Sequence, residues 1–198
     1  MNWDRVNVWT STLYALIQSL SLAKEQQFGD LESLPTRIKE ADSWLPAGWS
    51  YSSSLATQPM GTKRVKARRD PNKHFEFIVR QVIQMLIQDL VVIMDGMMDD
   101  ILAVRGEAAG DFPTSKVQKL ATHLDPKYNW AKHGCFELIA ARNVLCHAGG
   151  KWNQRSIDLV SGFVSSPPNV GDRLEIGFAC LFQFRKAMRT FLNEVKLP

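Results

Sequence analysis

The chain is poor in cysteine, with three in 198 residues, Cys135, Cys146 and Cys180. None forms a CxxC pair and the count is odd. That argues against a disulfide framework or a zinc knuckle and fits a reducing cytosol. Uninterrupted apolar runs are missing too. The longest apolar zone, residues 82–102, contains Gln84, Gln88, Asp89, Asp95, Asp99 and Asp100, too many polar groups for a simple membrane span. No Lys/Arg-rich start precedes the N-terminal apolar stretch, and Gln18, Ser19 and Ser21 break it, unlike a signal peptide. Neither a GxGxxG nor a Walker loop occurs, which disfavours nucleotide hydrolysis. Strand signals, internal repeats of 20–50 residues and low-complexity tracts are likewise missing. The expectation is a cytoplasmic protein with no membrane partner.

What is present is a core and a modest excess of positive charge. Hydrophobic residues make up 45% and charged residues 22%, enough apolar surface for one folded domain over residues 1–198. The net charge of +4 is compatible with a polyanionic partner without requiring one.

Apolar residues recur at threes and fours through most of the chain. Val6, Trp9, Leu13, Leu16, Ile17 and Leu20 predict an amphipathic helix over about residues 3–28. A shorter helix is expected over 31–44, with Pro35 near its start and Pro46 beyond its end. Residues 46–72 keep no period and contain three consecutive serines, Gly48, Gly61 and a basic run. They read as a long loop or arm, which in a compact domain is functional or disordered. A long apolar helix follows over 73–104. Its Gly96 is a weak point or a place where another backbone comes close. Helices are then expected over 114–123, from Asp125-Pro126 to about 148, over 153–164, and from an Asp172 cap to 195. The fold class is all-α, a helical bundle of about five main helices with the long basic loop between the first and second helical regions.

One segment carries chemistry. Glu137-Leu-Ile-Ala-Ala-Arg142-Asn143-Val-Leu-Cys146-His147-Ala-Gly149-Gly150 ends an apolar helix with Arg, Asn and His and closes it with a Gly-Gly stop. Arg neutralises charge building on a phosphate, and His moves protons near neutral pH. An Arg with His a few residues on also occurs at Arg68, Arg69 and His74. That match straddles an Asp-Pro boundary without a preceding apolar helix.

The segment resembles the HEPN superfamily, whose mark is Arg, usually a polar neighbour, then His four to six positions on, near the end of a bundle helix. Arg142, Asn143 and His147 occupy those places, and Gly149-Gly150 with Lys151-Trp152-Asn153 continues the likeness over roughly 20 residues. The resemblance implies a metal-independent endoribonuclease without a cofactor, often the toxin of a toxin–antitoxin or phage-defence system, with an antitoxin protein as partner. Such proteins commonly form homodimers with two motifs facing one cleft. His147 would act as base or acid, Arg142 would hold the phosphate, and Asn143 would orient either. The product would be a 2′,3′-cyclic phosphate, and DNA would not be cut. Some relatives carry a modifiable Tyr two residues after the His; here Gly149 stands there.

Five residues advance an ideal helix by about 500°, so Arg142 and His147 point about 140° apart. Convergence needs His147 in a frayed last turn or residues from two subunits. The plain alternatives are a C-terminal cation favoured by the helix dipole for Arg142 and a carbonyl-capping His147. Candidate substrate-binding residues are Lys151, Trp152 and Arg155 just past the motif, with Trp152 able to stack on a base or pack in the core. The basic run adds Lys63, Arg64, Lys66, Arg68 and Arg69, an RNA arm or a solvated loop. Cys146 reads as a small core residue, and His123 and His133 as structural. Asp95, Asp99 and Asp100 read as a solvated face, and no metal site is expected. The competing functions are a catalytically inactive helical module that binds RNA or a protein partner, and a regulatory domain that binds a nucleotide.

Overall fold

In the computed structural model, residues 3–25, 71–108 and 110–195 are described. They carry six α-helices and no β-strand: α1 (Asp4–Glu25), α2 (Pro71–Val104), α3 (Pro113–Leu120), α4 (Asn129–His147), α5 (Gln154–Asp158) and α6 (Phe178–Val195). Short 3-10 turns at Ala121–His123 and Pro126–Tyr128 lead from α3 into α4. The all-α reading therefore holds. The expected helix over 31–44, most of the loop over 46–72, and Lys63, Arg64, Lys66, Arg68 and Arg69 lie outside the described residues. At the end of that loop, Pro71 is already helical, filling a first-turn position that needs no N–H donor.

The chain divides into two units, Met1–Ser19 with Val79–Pro198, and Leu20–Ile78. The first holds the core described here. Val6, Trp9 and Leu13 turn one face of α1 inward at the expected spacing. The indole N–H of Trp9 donates to the Leu86 carbonyl of α2 at 3.0 Å, so the largest buried ring also meets its polar requirement. From α2, Ile83, Leu86, Ile87, Leu90, Met94, Met98 and Leu102 enter the same core. This is the one described helix long and apolar enough to cross a bilayer, but here its inward face packs on protein. Gly96 faces only the tip of a side chain: a Cβ there would meet the Arg5 guanidinium at 3.4 Å, not a backbone.

The Asp cluster of α2 is not simply solvated. Lys116 of α3, 4% exposed, places its ammonium 2.8 Å from Asp95 and 2.6 Å from Asp99. Burial alone would lower the lysine pKa. The hydrogen bonds and charges of Asp95 and Asp99 together outweigh it and raise the pKa above its ordinary value. Asp100 remains exposed, as expected.

Helix α4 is central, and it packs most extensively against α6. Gly134 makes their close crossing possible. A Cβ added there would lie well inside contact distance of the Ala187 Cβ and 3.9 Å from its Cα. Ala131 is buried one turn before Gly134, and the buried Leu138, Ala140, Ala141 and Val144 follow it towards the C-terminal end.

Three helix boundaries differ from expectation. The Asp125 carboxylate accepts from the Lys127 N–H at 3.0 Å and caps a 3-10 turn, so α4 starts only at Asn129. Helix α5 begins where expected, with Asn153 Oδ1 accepting from the Ser156 N–H, but ends at Asp158 rather than 164. The last helix begins at Phe178, six residues after Asp172. The Asp172 carboxylate turns back to accept from the Asn169 N–H, and its carbonyl accepts from the Trp152 N–H. Pairing of residues 150–152 with 171–174 of the same chain holds this stretch extended and delays the helix.

Candidate active site

The site is the C-terminal turn of α4. The helix stops there because the Ala148 and Gly150 N–H groups both return to the Val144 carbonyl, at 3.3 and 3.0 Å. That reversal needs positive φ at two successive residues, 60° at Gly149 and 80° at Gly150, which glycine supplies without strain. Val144 is fully buried and anchors the turn from below. Arg142 and Asn143 are half-buried, while His147 is exposed.

The three side chains meet. One guanidinium nitrogen of Arg142, Nη1, lies 3.0 Å from His147 Nε2 and donates to Asn143 Oδ1 at 3.1 Å. A guanidinium only donates, so in this contact Nε2 is the acceptor and the ring carries its proton on Nδ1. The 140° divergence expected on the helix is bridged within one chain. His147 is the final helical residue, and the long Arg142 side chain spans the gap, so no second subunit is needed to join the pair.

A residue from α2 reaches the same turn. The Gln88 amide donates to Cys146 Sγ at 2.7 Å and ties the residue before His147 to the neighbouring helix. Cys146 is therefore half-buried and hydrogen-bonded rather than a bare core filler. Nothing in the local sequence pairs two positions 58 apart, so Gln88 was not foreseeable as part of the site.

Beyond the turn, Lys151 and Arg155 are exposed and Trp152 is half-buried. The Trp152 N–H donates to the Asp172 carbonyl at 2.9 Å, and its carbonyl accepts from the Gly171 N–H at 2.8 Å. Arg173 was absent from the expected site, yet it pairs directly with Lys151 as an isolated antiparallel bridge.

The other histidines stand apart in role. His133 stacks on Phe163 with ring centroids 4.1 Å apart and planes 6° apart. Burial, and secondarily the Lys132 charge, lower its pKa below the ordinary histidine value. His123 is exposed at the end of a 3-10 turn. Glu137, further back on α4, has its carboxyl pKa raised by burial. Burial also pushes the Cys135 thiol above its ordinary range, which makes it inert as a nucleophile. Among the described residues, no three His, Cys, Asp or Glu side chains gather to hold a metal ion.

Comparison with protein-family models, curated proteins and solved structures gives no match.

Proposed function

We propose that this protein is a metal-independent endoribonuclease of the HEPN kind, acting through Arg142, Asn143 and His147. The observation that carries the reading is the 3.0 Å contact between a permanent cation and an exposed imidazole, with an amide on the same guanidinium. These are the groups needed to hold a phosphodiester and move its protons.

In the resting pair the Nε2 lone pair points at Arg142. An incoming phosphate offers the guanidinium a charged acceptor, and charge-assisted hydrogen bonds to it are stronger than those to a neutral ring. Arg142 then turns to the phosphate and Nε2 becomes free. His147 takes the 2′-OH proton, the 2′-oxygen bonds to phosphorus, and the bond to the 5′-oxygen breaks. The leaving oxygen takes a proton from solvent or from His147 of a second copy, in a homodimer with its motifs facing. The products are a 2′,3′-cyclic phosphate and a 5′-hydroxyl. Asn143 holds the guanidinium through the same nitrogen that meets the His. The likeness to HEPN toxins also supports a protein antitoxin as regulator.

The test is RNA cleavage by wild type, Arg142→Ala and His147→Ala, each checked for helicity. Cleavage by wild type, lost in both variants with the fold intact, supports the assignment. Unfolding of either variant gives the pair a structural role instead. Cleavage that persists in both assigns the activity elsewhere.

A further inference from the structure

Just past His147 the chain builds a short two-stranded ribbon. The Leu174 N–H donates to the Gly150 carbonyl and the Trp152 N–H to the Asp172 carbonyl, both at 2.9 Å. These two bonds bracket Lys151 and Arg173, which sit directly opposite each other. A pair bracketed in this way is the non-hydrogen-bonded kind, with Cα atoms about 4.5 Å apart and both side chains on one face.

Both residues are cations, and both are exposed. Like charges directly opposite each other destabilise a ribbon. Nothing offsets them here: among the described residues, neither Lys151 nor Arg173 makes an ion pair. The Asp172 carboxylate is taken by the backbone and side-chain N–H groups of Asn169. Exposed Glu175 pairs with neither cation. Gly149 and Gly171, one on each side of the ribbon, add no side chain to screen the charges. Lys151 is four residues from His147, at most about 14 Å of extended chain and less through the Gly149-Gly150 reversal.

We propose that Lys151 and Arg173 form a two-pronged clamp for an RNA phosphate adjacent to the one held by Arg142. The proposal rests on the endoribonuclease reading and adds Arg173 to it. Lysine supplies a point charge and arginine a planar fork, so together they grip one diester from two directions. The repulsion built into the free ribbon is relieved when the anion arrives.

The test is fluorescence anisotropy with a short, fully 2′-O-methylated single-stranded RNA, which binds but lacks the attacking hydroxyl. Wild type, Lys151→Gln, Arg173→Gln, Arg173→Lys and the double Gln variant are titrated at several salt concentrations. The double Gln variant should reduce the slope of log affinity against log salt by ~0.7, the contribution of the one shared phosphate contact on a single strand, and each single Gln change by part of that. Affinity at low salt should fall several-fold in each, Arg173→Lys should keep the wild-type slope, and melting temperatures should stay level or rise. Wild-type slope and affinity in Arg173→Gln would overturn the clamp alone, with the nuclease reading intact if wild type still cleaves unmodified RNA. Failure of wild type both to bind and to cleave would overturn the parent reading as well. Binding of a polyglutamate peptide in place of RNA, lost in Arg173→Gln, would overturn the RNA assignment in favour of an acidic protein.

Discussion

Gly134→Ala puts the position of α4 to a quantitative test. Alanine is favoured over glycine in a helix interior by about 1 kcal/mol, so propensity alone predicts a stabilised protein. The crossing of α4 and α6 predicts the reverse. The new methyl would fall inside contact distance of the Ala187 Cβ, with the Ala187 Cα at 3.9 Å behind it. Carbon atoms pack best at about 3.5–4.0 Å. Relief therefore needs the two helices to part by on the order of 1 Å, which loosens the contacts of Leu181, Phe184 and Met188 as well. Overpacking of this kind costs about 1–3 kcal/mol. Set against the propensity gain, the net loss is up to about 2 kcal/mol, or up to roughly 8 °C in Tm for a domain of this size. Thermal unfolding followed by circular dichroism reads it directly. Ala187→Gly in the same chain should restore much of the loss, because it removes the atom that is struck. A rise in Tm for Gly134→Ala would refute the close crossing and, with it, the placement of α4 that sets the Arg142–His147 turn.

Three further outcomes follow from the same geometry. Lys116→Met should cost about 1–2 kcal/mol by urea denaturation, less than a fully buried pair because Asp95 and Asp99 are 31% and 44% exposed. Because the lysine pKa is raised above 10.5, its stabilisation is complete below that pH and lost as pH climbs through the raised value, a loss the Met variant should lack. The lowered pKa of His133 means the unfolded chain takes up its proton first, so stability falls as pH drops below 6.5; His133→Phe should flatten that part of the acid limb. Gln88→Leu, which removes the donor to Cys146 Sγ, should cost about 0.5–1.5 kcal/mol of stability and lower kcat by up to about tenfold with KM little changed; an unaltered kcat would show that the α2 link does not position His147.

The sequence disclosed those features that are local or periodic. Val6, Trp9 and Leu13 announce the buried face of α1, Pro71 sits near the start of α2, and Gly149 ends α4. Arg142, Asn143 and His147 were legible as a group because all three lie on one turn and a half of helix. Their meeting was not, since an angle measured at the backbone ignores the reach of an arginine. Asp125 and Asp172 misled for a shared reason. Each does satisfy a nearby N–H as a cap would, but of a 3-10 turn in one case and a loop in the other. Pairings across the fold left no local trace, namely Gln88 with Cys146, Lys116 with Asp95 and Asp99, and Lys151 with Arg173. The last escaped notice because one bridge is too short to impose the period of a strand.

The central claim is that His147 takes a proton from a ribose 2′-hydroxyl while Arg142 holds the phosphate. Its most direct test needs first the bond at which wild type cuts an RNA oligonucleotide in EDTA. The oligonucleotide is then remade with a single 2′-deoxy sugar on the 5′ side of that bond. The account predicts that wild type cuts the all-ribose strand to a 2′,3′-cyclic phosphate end, that the single deoxy substitution abolishes cutting at that bond, and that His147→Ala cuts neither strand. Cleavage of the deoxy-substituted bond, or inhibition of wild type by EDTA, would contradict it.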